Sequence, residues 1–404
     1  MIKVLFVLQS IGFGGSMTSL INLLGFLKEN SKFSVEVLFM DRYGELLDQA
    51  EHVANILPEN KILQSVSAPR EKLKRLKRYD LLVERGALWI LGKMKNQTTE
   101  NIAFEIAAKV YSNKYDCIVA YQESISTKFV SRISASKKIA WIHNDFNNVL
   151  KLYRDKDELI KEYSLFDSIV CVSKAGQKNF QRELNFEPGR IEYVYNTLND
   201  HQIKSKSVVP LEQVLKKSEN LIYKLKQNDS IKFVSSGRMV EQKRFDRAIY
   251  AAKLLKLAGL KFYWFIIGDG PLLEKLSDMV INEELEGEVF FTGSLKNPFP
   301  IVRACNVFVL TSDFEAHPMV ANEALILGKP VISTNFESAG EVVVHGKNGF
   351  ICEMNPNSVA NYCKKILENK DLYFNLVQEA NKFRYQNNKI VEKVENLIGE
   401  YEII

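Results

Sequence analysis

The feature that most constrains the fold is a regular alternation of short apolar or β-branched runs with longer segments of helical periodicity. Runs such as 169–172 and 307–310 are apolar at every position, which is typical of parallel strands covered by helices on both faces. The predicted strands are 3–8, 34–40, 117–121, 138–143, 168–172 and 191–195, followed by 231–235, 262–267, 289–292, 307–310 and 330–333. Two successive arrays of this kind predict an α/β protein with two doubly wound, Rossmann-like domains.

The length and two further segments set the expected domain boundaries. A chain of 404 residues suggests two or three domains at about 150 residues each. The Lys-rich segment 196–230 predicts a linker with one helix near 211–225. Apolar residues at helical spacing in 388–404 predict a final amphipathic helix that returns to the first domain. The predicted domains are 1–197 joined by the helix 386–404, and 198–385.

Composition excludes several classes of protein. The chain has 54 Lys and Arg against 49 Asp and Glu, an excess too small to indicate a nucleic-acid partner. Its longest apolar runs fall well short of the roughly 18 residues of a membrane span. Five widely spaced cysteines predict buried thiols in a reducing compartment. Because the N-terminus predicts a strand and not a signal peptide, we expect a cytoplasmic protein.

Glycine-rich turns follow the first strand of each array. Gly14 and Gly15 lie in the turn 12–16, which lets backbone N–H groups approach a ligand closely, although a flexible turn is the alternative. In the second array, Gly237 precedes the cations of Arg238, Lys243 and Arg244. Fixed cations just beyond a strand suit a diphosphate.

The richest segment follows the strand 307–310. Glu315 lies in the loop, and Glu323 lies in a helix that begins near Pro318. The free N–H groups of Met319, Val320 and Ala321 predict an anion site between the two carboxylates. A carboxylate on each side of an anion site suits the ribose, diphosphate and hexose of a nucleotide sugar.

These motifs resemble glycosyltransferase family 4. The resemblance rests on Gly237-Arg238 with Lys243, on 268–270, on Glu315 and Glu323 separated by seven residues, and on 328–332. It is clear over 231–352 and looser in the N-terminal half. It implies the GT-B architecture, in which two doubly wound Rossmann-like domains face each other across a cleft. The N-terminal domain would bind the acceptor and the C-terminal domain the nucleotide-sugar donor.

The resemblance also implies roles for individual residues. Arg238 and Lys243 would bind the diphosphate, Glu315 the hexose and Glu323 the ribose. The other implied contacts are Gly237 and Gly268 at the donor, the amides of Met319 and Val320 at the phosphates, backbone near Ser294 and Leu295 at the base, His143 beside the transferred sugar, and Gly14 and Gly15 under the diphosphate or acceptor.

Two departures from the family pattern concern histidines. Ala316 and His317 stand where the family often has Gly or an aliphatic residue, so we expect an unusual hexose pocket that includes His317. The segment 143–145 has His-Asn-Asp in place of His-Asp. A histidine at a strand end is the alternative for His143, and a loop histidine is the alternative for His317.

No metal site is expected. Asp155 and Asp157 form a D-x-D pattern, but they lie in a charged helical segment and predict a solvated helix face. The sequence therefore predicts a metal-independent reaction without a cofactor. The resemblance implies retention of anomeric configuration, for which we expect front-face departure of the leaving group.

Residues 69–95 have nine Lys or Arg against three acids. Apolar residues beside them at near-helical spacing predict a basic amphipathic helix. Such a helix contacts anionic membrane, and a solvated surface is the alternative. We therefore expect peripheral contact with the inner face of the plasma membrane.

The leading hypothesis is transfer of a hexose or N-acetylhexosamine from a nucleotide sugar, favouring a UDP-sugar, to a saccharide or lipid-linked glycan in bacterial surface polysaccharide or glycoconjugate synthesis. A nucleotide-sugar 2-epimerase of the same architecture is the second hypothesis, which the two spaced glutamates disfavour. A non-catalytic partner subunit is the third, and the intact Arg238, Lys243, Glu315 and Glu323 oppose it.

Overall fold

A computed structural model describes residues 1–10, 12, 14–44, 46–216 and 218–399. The chain divides into two compact units, one formed by Met1–Thr197 with Gln386–Ile404 and the other by Leu198–Tyr385. Each unit has its own parallel sheet with helices packed against it. The predicted α/β class with two Rossmann-like domains is confirmed.

The first unit is built on a seven-stranded sheet of order β3-β2-β1-β4-β5-β6-β7. Its strands are β1 Ile2–Ser10, β2 Phe33–Asp41, β3 Asn55–Ile56, β4 Cys117–Ala120, β5 Lys137–Ile142, β6 Ser168–Cys171 and β7 Ile191–Tyr193. The central register places Val7 of β1 opposite Leu38 of β2 and Ala120 of β4.

The second unit has a six-stranded sheet of order β10-β9-β8-β11-β12-β13. Its strands are β8 Ile231–Ser236, β9 Phe262–Ile267, β10 Val289–Gly293, β11 Val307–Leu310, β12 Val331–Thr334 and β13 Gly349–Cys352. All the strands predicted in the two units are present, with ends that move by at most two residues. The short strands β3 and β13 were missed.

Helices cover both sheets. In the first unit they are α1 Gly15–Lys28, α2 Leu47–Val53, α3 Lys61–Ser67, α4 Arg70–Arg75, α5 Tyr79–Lys95, α6 Thr99–Tyr111, α7 Ile125–Val130, α8 Phe146–Leu150, α9 Lys156–Tyr163 and α10 Lys174–Leu184. In the second unit they are α11 Asp200–Ser207, α12 Leu211–Val214, α13 Glu219–Lys226, α14 Phe245–Leu257, α15 Leu273–Asn282, α16 Phe299–Ala304, α17 Met319–Ile326, α18 Pro356–Glu368 and α19 Lys370–Asn381. None of the helices in these described ranges is long and apolar enough to cross a bilayer.

The final helix, α20 Asn387–Gly399, packs on the first unit. Its residues Ile390, Val394 and Ile398 are buried at helical spacing. Asn30 Nδ2 donates to Glu395 Oε1 at 2.7 Å, which ties the helix to the end of α1. The end of the predicted helix, residues 400–404, lies outside the described residues, as does Phe13 of the glycine-rich turn.

The prediction of a linker at 196–230 is wrong. Residues 198–230 belong to the second unit and form α11, α12 and α13. The helix predicted near 211–225 is present as the two short helices α12 and α13. Leu215 and Leu225 are buried against the same cluster as Phe265 and Ile301. The Lys-rich composition indicated a linker because the Lys side chains lie on the outer faces of these short helices.

The prediction of one basic helix over 69–95 is also wrong. The chain forms α4 and α5, separated by a turn in which Lys77 has a positive φ of 53°. Leu73 of α4 is fully buried with Ala68 and Leu81, so α4 packs inward. An exposed apolar side remains on α5.

Replacing Leu225 by Ala tests whether α13 is part of the core. We expect a loss of about 3 kcal/mol in the free energy of unfolding of the second unit, because a buried leucine is truncated. Calorimetric unfolding measures it, with exposed Leu257→Ala as the matched control. Equal, small effects of the two substitutions would restore the linker interpretation.

Candidate functional site

The second unit has its topological switch point between β8 and β11. From β8 the sheet extends to β9 on one side and to β11 on the other, with Phe233 of β8 opposite Val307 of β11. The loops that follow β8 and β11 therefore leave the same edge of the sheet next to each other. Ligands of open α/β sheets bind at such points.

An ion pair joins these two loops. Lys243 Nζ lies 2.7 Å from Glu315 Oε1, and the two side chains are only 17% and 10% exposed. Ser312 Oγ donates to the same carboxylate oxygen at 2.6 Å, and Ser338 Oγ donates to the Glu315 carbonyl at 2.8 Å. Two residues that the sequence placed at the donor are thus in direct contact.

Close backbone packing fixes the position of Lys243. A Cβ on Gly268 would lie 2.0 Å from the Gly237 carbonyl oxygen, and a Cβ on Gly237 would lie 3.2 Å from Lys243 Cε. The amide of Met239 donates to the Asp269 carbonyl at 2.8 Å. A side chain at Gly268 would therefore clash with the loop backbone, and one at Gly237 would crowd the stem of Lys243.

Sequence reasoning missed an arginine–aspartate cluster beneath the loop. Arg247 of α14 is 3% exposed, and its guanidinium donates to Asp313 Oδ1 at 2.7 Å and to the Thr311 carbonyl at 2.5 Å. Arg244, predicted as a cation for diphosphate, instead pairs with Asp246 at 2.9 Å and with Asp313 at 3.1 Å. The sequence offered one sign of this cluster, since Arg247 stands among the apolar residues on the buried face of α14. Arg238 is exposed on the loop after β8.

The start of α17 offers fewer free amides than predicted. The Met319 amide donates to the His317 carbonyl at 2.8 Å, and the Ala321 amide donates to the Pro318 carbonyl at 3.1 Å. Val320 is the position whose N–H has no acceptor among the described residues. The prediction of three free N–H groups is therefore corrected to one.

Glu323 lies in the second turn of α17, and burial raises the pKa of its carboxyl to about 7. His317 is also largely buried, and its Nε2 lies 3.4 Å from Asn322 Nδ2 of the same helix. Farther along the sheet edge, Ser294 is exposed after β10, while Leu295 packs on the core.

The first unit brings a second group of residues to the ends of β1, β4 and β5, which are adjacent in its sheet. Gly14 precedes α1 and Gly15 begins it. A Cβ on Gly14 would meet nothing within 4 Å, so packing within the described residues does not require that glycine.

His143 follows β5 and is held by Glu123, which sequence reasoning missed. Glu123 Oε2 accepts a hydrogen bond from the backbone amide of His143 at 2.9 Å, and Glu123 Oε1 accepts one from Asn144 Nδ2. The centroids of the His143 and Tyr121 rings are 4.9 Å apart. Burial lowers the His143 pKa to about 4, although Glu123 opposes this shift. The imidazole is therefore neutral near pH 7. The signal for Glu123 was its place just after a buried strand.

The structure thus assembles the predicted residues in two groups. Gly237, Lys243, Gly268 and Glu315 meet on the loops of the second unit, and Arg238 is exposed next to Gly237. His143 lies in the first unit. Asp155 caps α9 by accepting the Glu158 amide at 2.8 Å, which agrees with a solvated helix end. In the part of the chain that the structure describes, no three His, Cys, Asp or Glu side chains form a group suited to a metal.

Comparisons with known proteins find a family match within the second unit. Residues 217–383 match the family model for glycosyl transferases group 1. The chain is 29% identical over 219 residues to an uncharacterised glycosyltransferase of Methanocaldococcus jannaschii, covering 54% of each chain. It is 26% identical over 218 residues to N-acetyl-alpha-D-glucosaminyl L-malate synthase of Bacillus anthracis, covering 53% of each. The chain thus spans about half the length of the curated relatives it matches.

A solved structure extends the similarity over nearly the whole chain. The crystal structure of Anabaena HepE in complex with UDP and glucose superposes with a TM-score of 0.71 and 18% identity, covering 98% of this chain and 99% of that one. At this identity the likeness shows the fold alone. Residues 217–383 of the second unit thus match the glycosyl transferases group 1 model, and the chain has the fold of the GT-B glycosyltransferase structures that it resembles.

Replacing Glu123 by Gln tests its hold on the loop after β5. An amide offers one acceptor oxygen, so the His143 N–H and the Asn144 amide can no longer both be satisfied. We expect a loss of about 1–2 kcal/mol in unfolding free energy, measured by urea denaturation. The control is Glu105→Gln, since Glu105 is exposed and accepts from Gln97. A Glu105 effect as large as that of Glu123 would contradict the assignment.

Replacing Glu323 by Gln tests the burial of its carboxyl. The pKa of the Glu323 carboxyl is about 7 in the folded protein and 4.5 ordinarily. Between these two pH values the carboxyl is protonated in the folded protein but ionised in the unfolded chain. Stability should therefore fall as pH rises through this window. The variant should be more stable than the wild type at about pH 8, by up to about 3 kcal/mol, and should gain less at about pH 5.

Urea denaturation at both pH values measures this difference. Glu286→Gln, at an exposed position of the same unit, is the control and should show no such dependence on pH. A gain at pH 8 that does not exceed the gain at pH 5 would show that the Glu323 carboxyl is solvated.

Proposed function

We propose that this protein is a retaining glycosyltransferase. It transfers a hexose or N-acetylhexosamine from a nucleotide sugar to a saccharide or lipid-linked acceptor in bacterial surface polysaccharide or glycoconjugate synthesis. The observation that carries the proposal is the Lys243–Glu315 ion pair, which joins two loops at the switch point of a group 1 domain.

The cations suit the diphosphate of the donor. Arg238 is exposed on the loop after β8, and the Lys243 ammonium is held in place by its stem against Gly237. Both would stabilise the charge that develops on the leaving phosphate. The Val320 amide, at the start of α17, would add a donor to a phosphate oxygen. The proposed reaction needs neither metal nor cofactor, because these groups supply the positive charge.

The carboxylates suit the sugar hydroxyls. When the diphosphate takes the Lys243 ammonium, the Glu315 carboxylate is released from its pair and can accept from the transferred hexose. Glu323 would accept from the ribose hydroxyls. Its raised pKa of about 7 means that a ligand whose hydroxyls need the ionised form binds better as pH rises through 7.

The chemical step proposed is front-face displacement with retention. The bond from the anomeric carbon to the phosphate oxygen breaks through an oxocarbenium-like state. The acceptor oxygen bonds to the same face, and its proton passes to the leaving phosphate oxygen. His143 is neutral near pH 7 because burial lowers its pKa to about 4, so it would contact the transferred sugar as a hydrogen-bonding group and not as a cation.

A UDP-sugar is the proposed donor and a cytoplasmic location at the membrane face is the proposed setting. The complex of HepE with UDP and glucose supports the choice of nucleotide. A nucleotide-sugar 2-epimerase and a non-catalytic subunit are the competing functions. Neither of them predicts that the release of nucleotide increases when a saccharide acceptor is added.

The test is incubation of the purified protein with a panel of UDP-, GDP- and ADP-sugars, with and without saccharide acceptors. We expect release of nucleotide from one sugar class that increases with acceptor, and about a 100-fold loss in Lys243→Gln and Glu315→Gln. Lys256→Gln and Glu288→Gln, at an exposed ion pair of the same unit, are the matched controls. Full activity of either site variant, or sugar isomerisation without release of nucleotide, would overturn the proposal.

A further inference from the structure

The outer side of α5 has an apolar stripe that nothing in the described chain covers. The stripe consists of Tyr79, Val83, Ile90 and Met94, which are 63%, 74%, 55% and 78% exposed. At about 100° per residue these positions share one side of the helix. The opposite side packs inward through Leu81, Leu88 and Gly92. A helix with two apolar sides therefore shows one of them to its surroundings.

Exposed cations lie before α5 and in its last turn. Five of them form no ion pair within the described ranges, namely Arg70, Arg75, Lys77, Lys93 and Lys95. The neighbouring Lys72 and Arg78 are paired inward with Asp41 and Glu59. The paired cations fasten α4 and α5 to the unit, and the unpaired ones give the outer surface a net positive charge at both ends of α5.

We propose that the outer side of α5, with these five cations, docks on an anionic lipid bilayer. The helix has 17 residues and so a length of about 25 Å, which would lie parallel to the surface. The stripe would enter the headgroup boundary, and each cation near the surface would add attraction to anionic lipid. Lys93 Nζ lies 5.8 Å from the centroid of the Trp89 ring. On docking, the half-exposed ring beside the stripe would reach the headgroup boundary and the ammonium would contact the headgroups.

The charge of the surface favours a bilayer over a second copy of this chain. Two copies that met through α5 would bring the same unpaired cations together, and their repulsion would oppose the contact. An anionic bilayer neutralises them instead. The inference does not depend on the proposed transfer reaction, since docking is measured without donor or acceptor.

The chain contains its own probe of docking. Trp89 is 53% exposed, whereas Trp141 and Trp264 are fully buried and are the other tryptophans of the sequence. With vesicles of phosphatidylcholine and phosphatidylglycerol in equal parts, we expect co-flotation, a shift of Trp emission to shorter wavelength, and quenching by brominated lipid. Pure phosphatidylcholine vesicles should give none of these. Trp89→Phe should remove the optical signal and retain co-flotation.

Two pairs of variants separate the contribution of the apolar stripe to membrane binding from that of the cations. Val83→Gln with Met94→Gln, and Lys77→Gln with Lys93→Gln, should each weaken binding to the anionic vesicles by about tenfold. The controls are Leu257→Gln and the pair Lys347→Gln with Lys389→Gln, all at exposed positions elsewhere. Equal binding to pure phosphatidylcholine, or binding unchanged in both α5 variants, would overturn the proposal. So would a stable dimer that the α5 variants dissociate, because a second copy would then be the occupant.

Discussion

The Lys243–Glu315 ion pair is the contact on which the site of the second unit depends. Burying two charges costs free energy that their attraction offsets only when the remaining hydrogen bonds are satisfied. Ser312 donates to the same Glu315 oxygen, and glycine at 237 lets the Lys243 stem lie against the loop backbone. The ammonium is thus held ready with an internal anion as its partner. An anionic ligand that takes the Lys243 ammonium replaces Glu315 as its partner, and the released Glu315 carboxylate then needs hydrogen-bond donors from the ligand.

The same physical device recurs in the first unit with different chemistry. Glu123 binds the backbone and side-chain amides of the turn after β5, so a carboxylate again fixes the residue that follows a buried strand. In both units the parallel sheet brings consecutive strand ends to one edge. The sheet places the loop, and a carboxylate that accepts hydrogen bonds from the loop fixes it.

The amino-acid sequence predicted the strands because apolar runs of this length have few other solutions. It also singled out Lys243 and Glu315, which the structure brings into contact, whereas the role of Glu323 stays a prediction. The predictions were wrong where a polar composition conceals residues that pack in the core. The Lys-rich helices α11 to α13 looked like a linker, although Leu225 is a core residue. Arg247 and Glu123 escaped notice because their partners, Asp313 and the turn at His143, are distant in sequence. Likewise, the amides of Met319 and Ala321 are occupied by local turn carbonyls, which spacing alone does not reveal.

The most direct measurement of the central claim is the affinity for UDP, by isothermal titration calorimetry, in the wild type and in the two single variants of the ion pair. If the diphosphate takes the Lys243 ammonium from Glu315, then Glu315→Gln removes a competing anion and UDP should bind several-fold more tightly. Lys243→Gln removes the cation, and UDP should bind more weakly. Glu288→Gln should leave the affinity unchanged. Weaker binding of UDP in Glu315→Gln, equal to that in Lys243→Gln, would contradict the exchange.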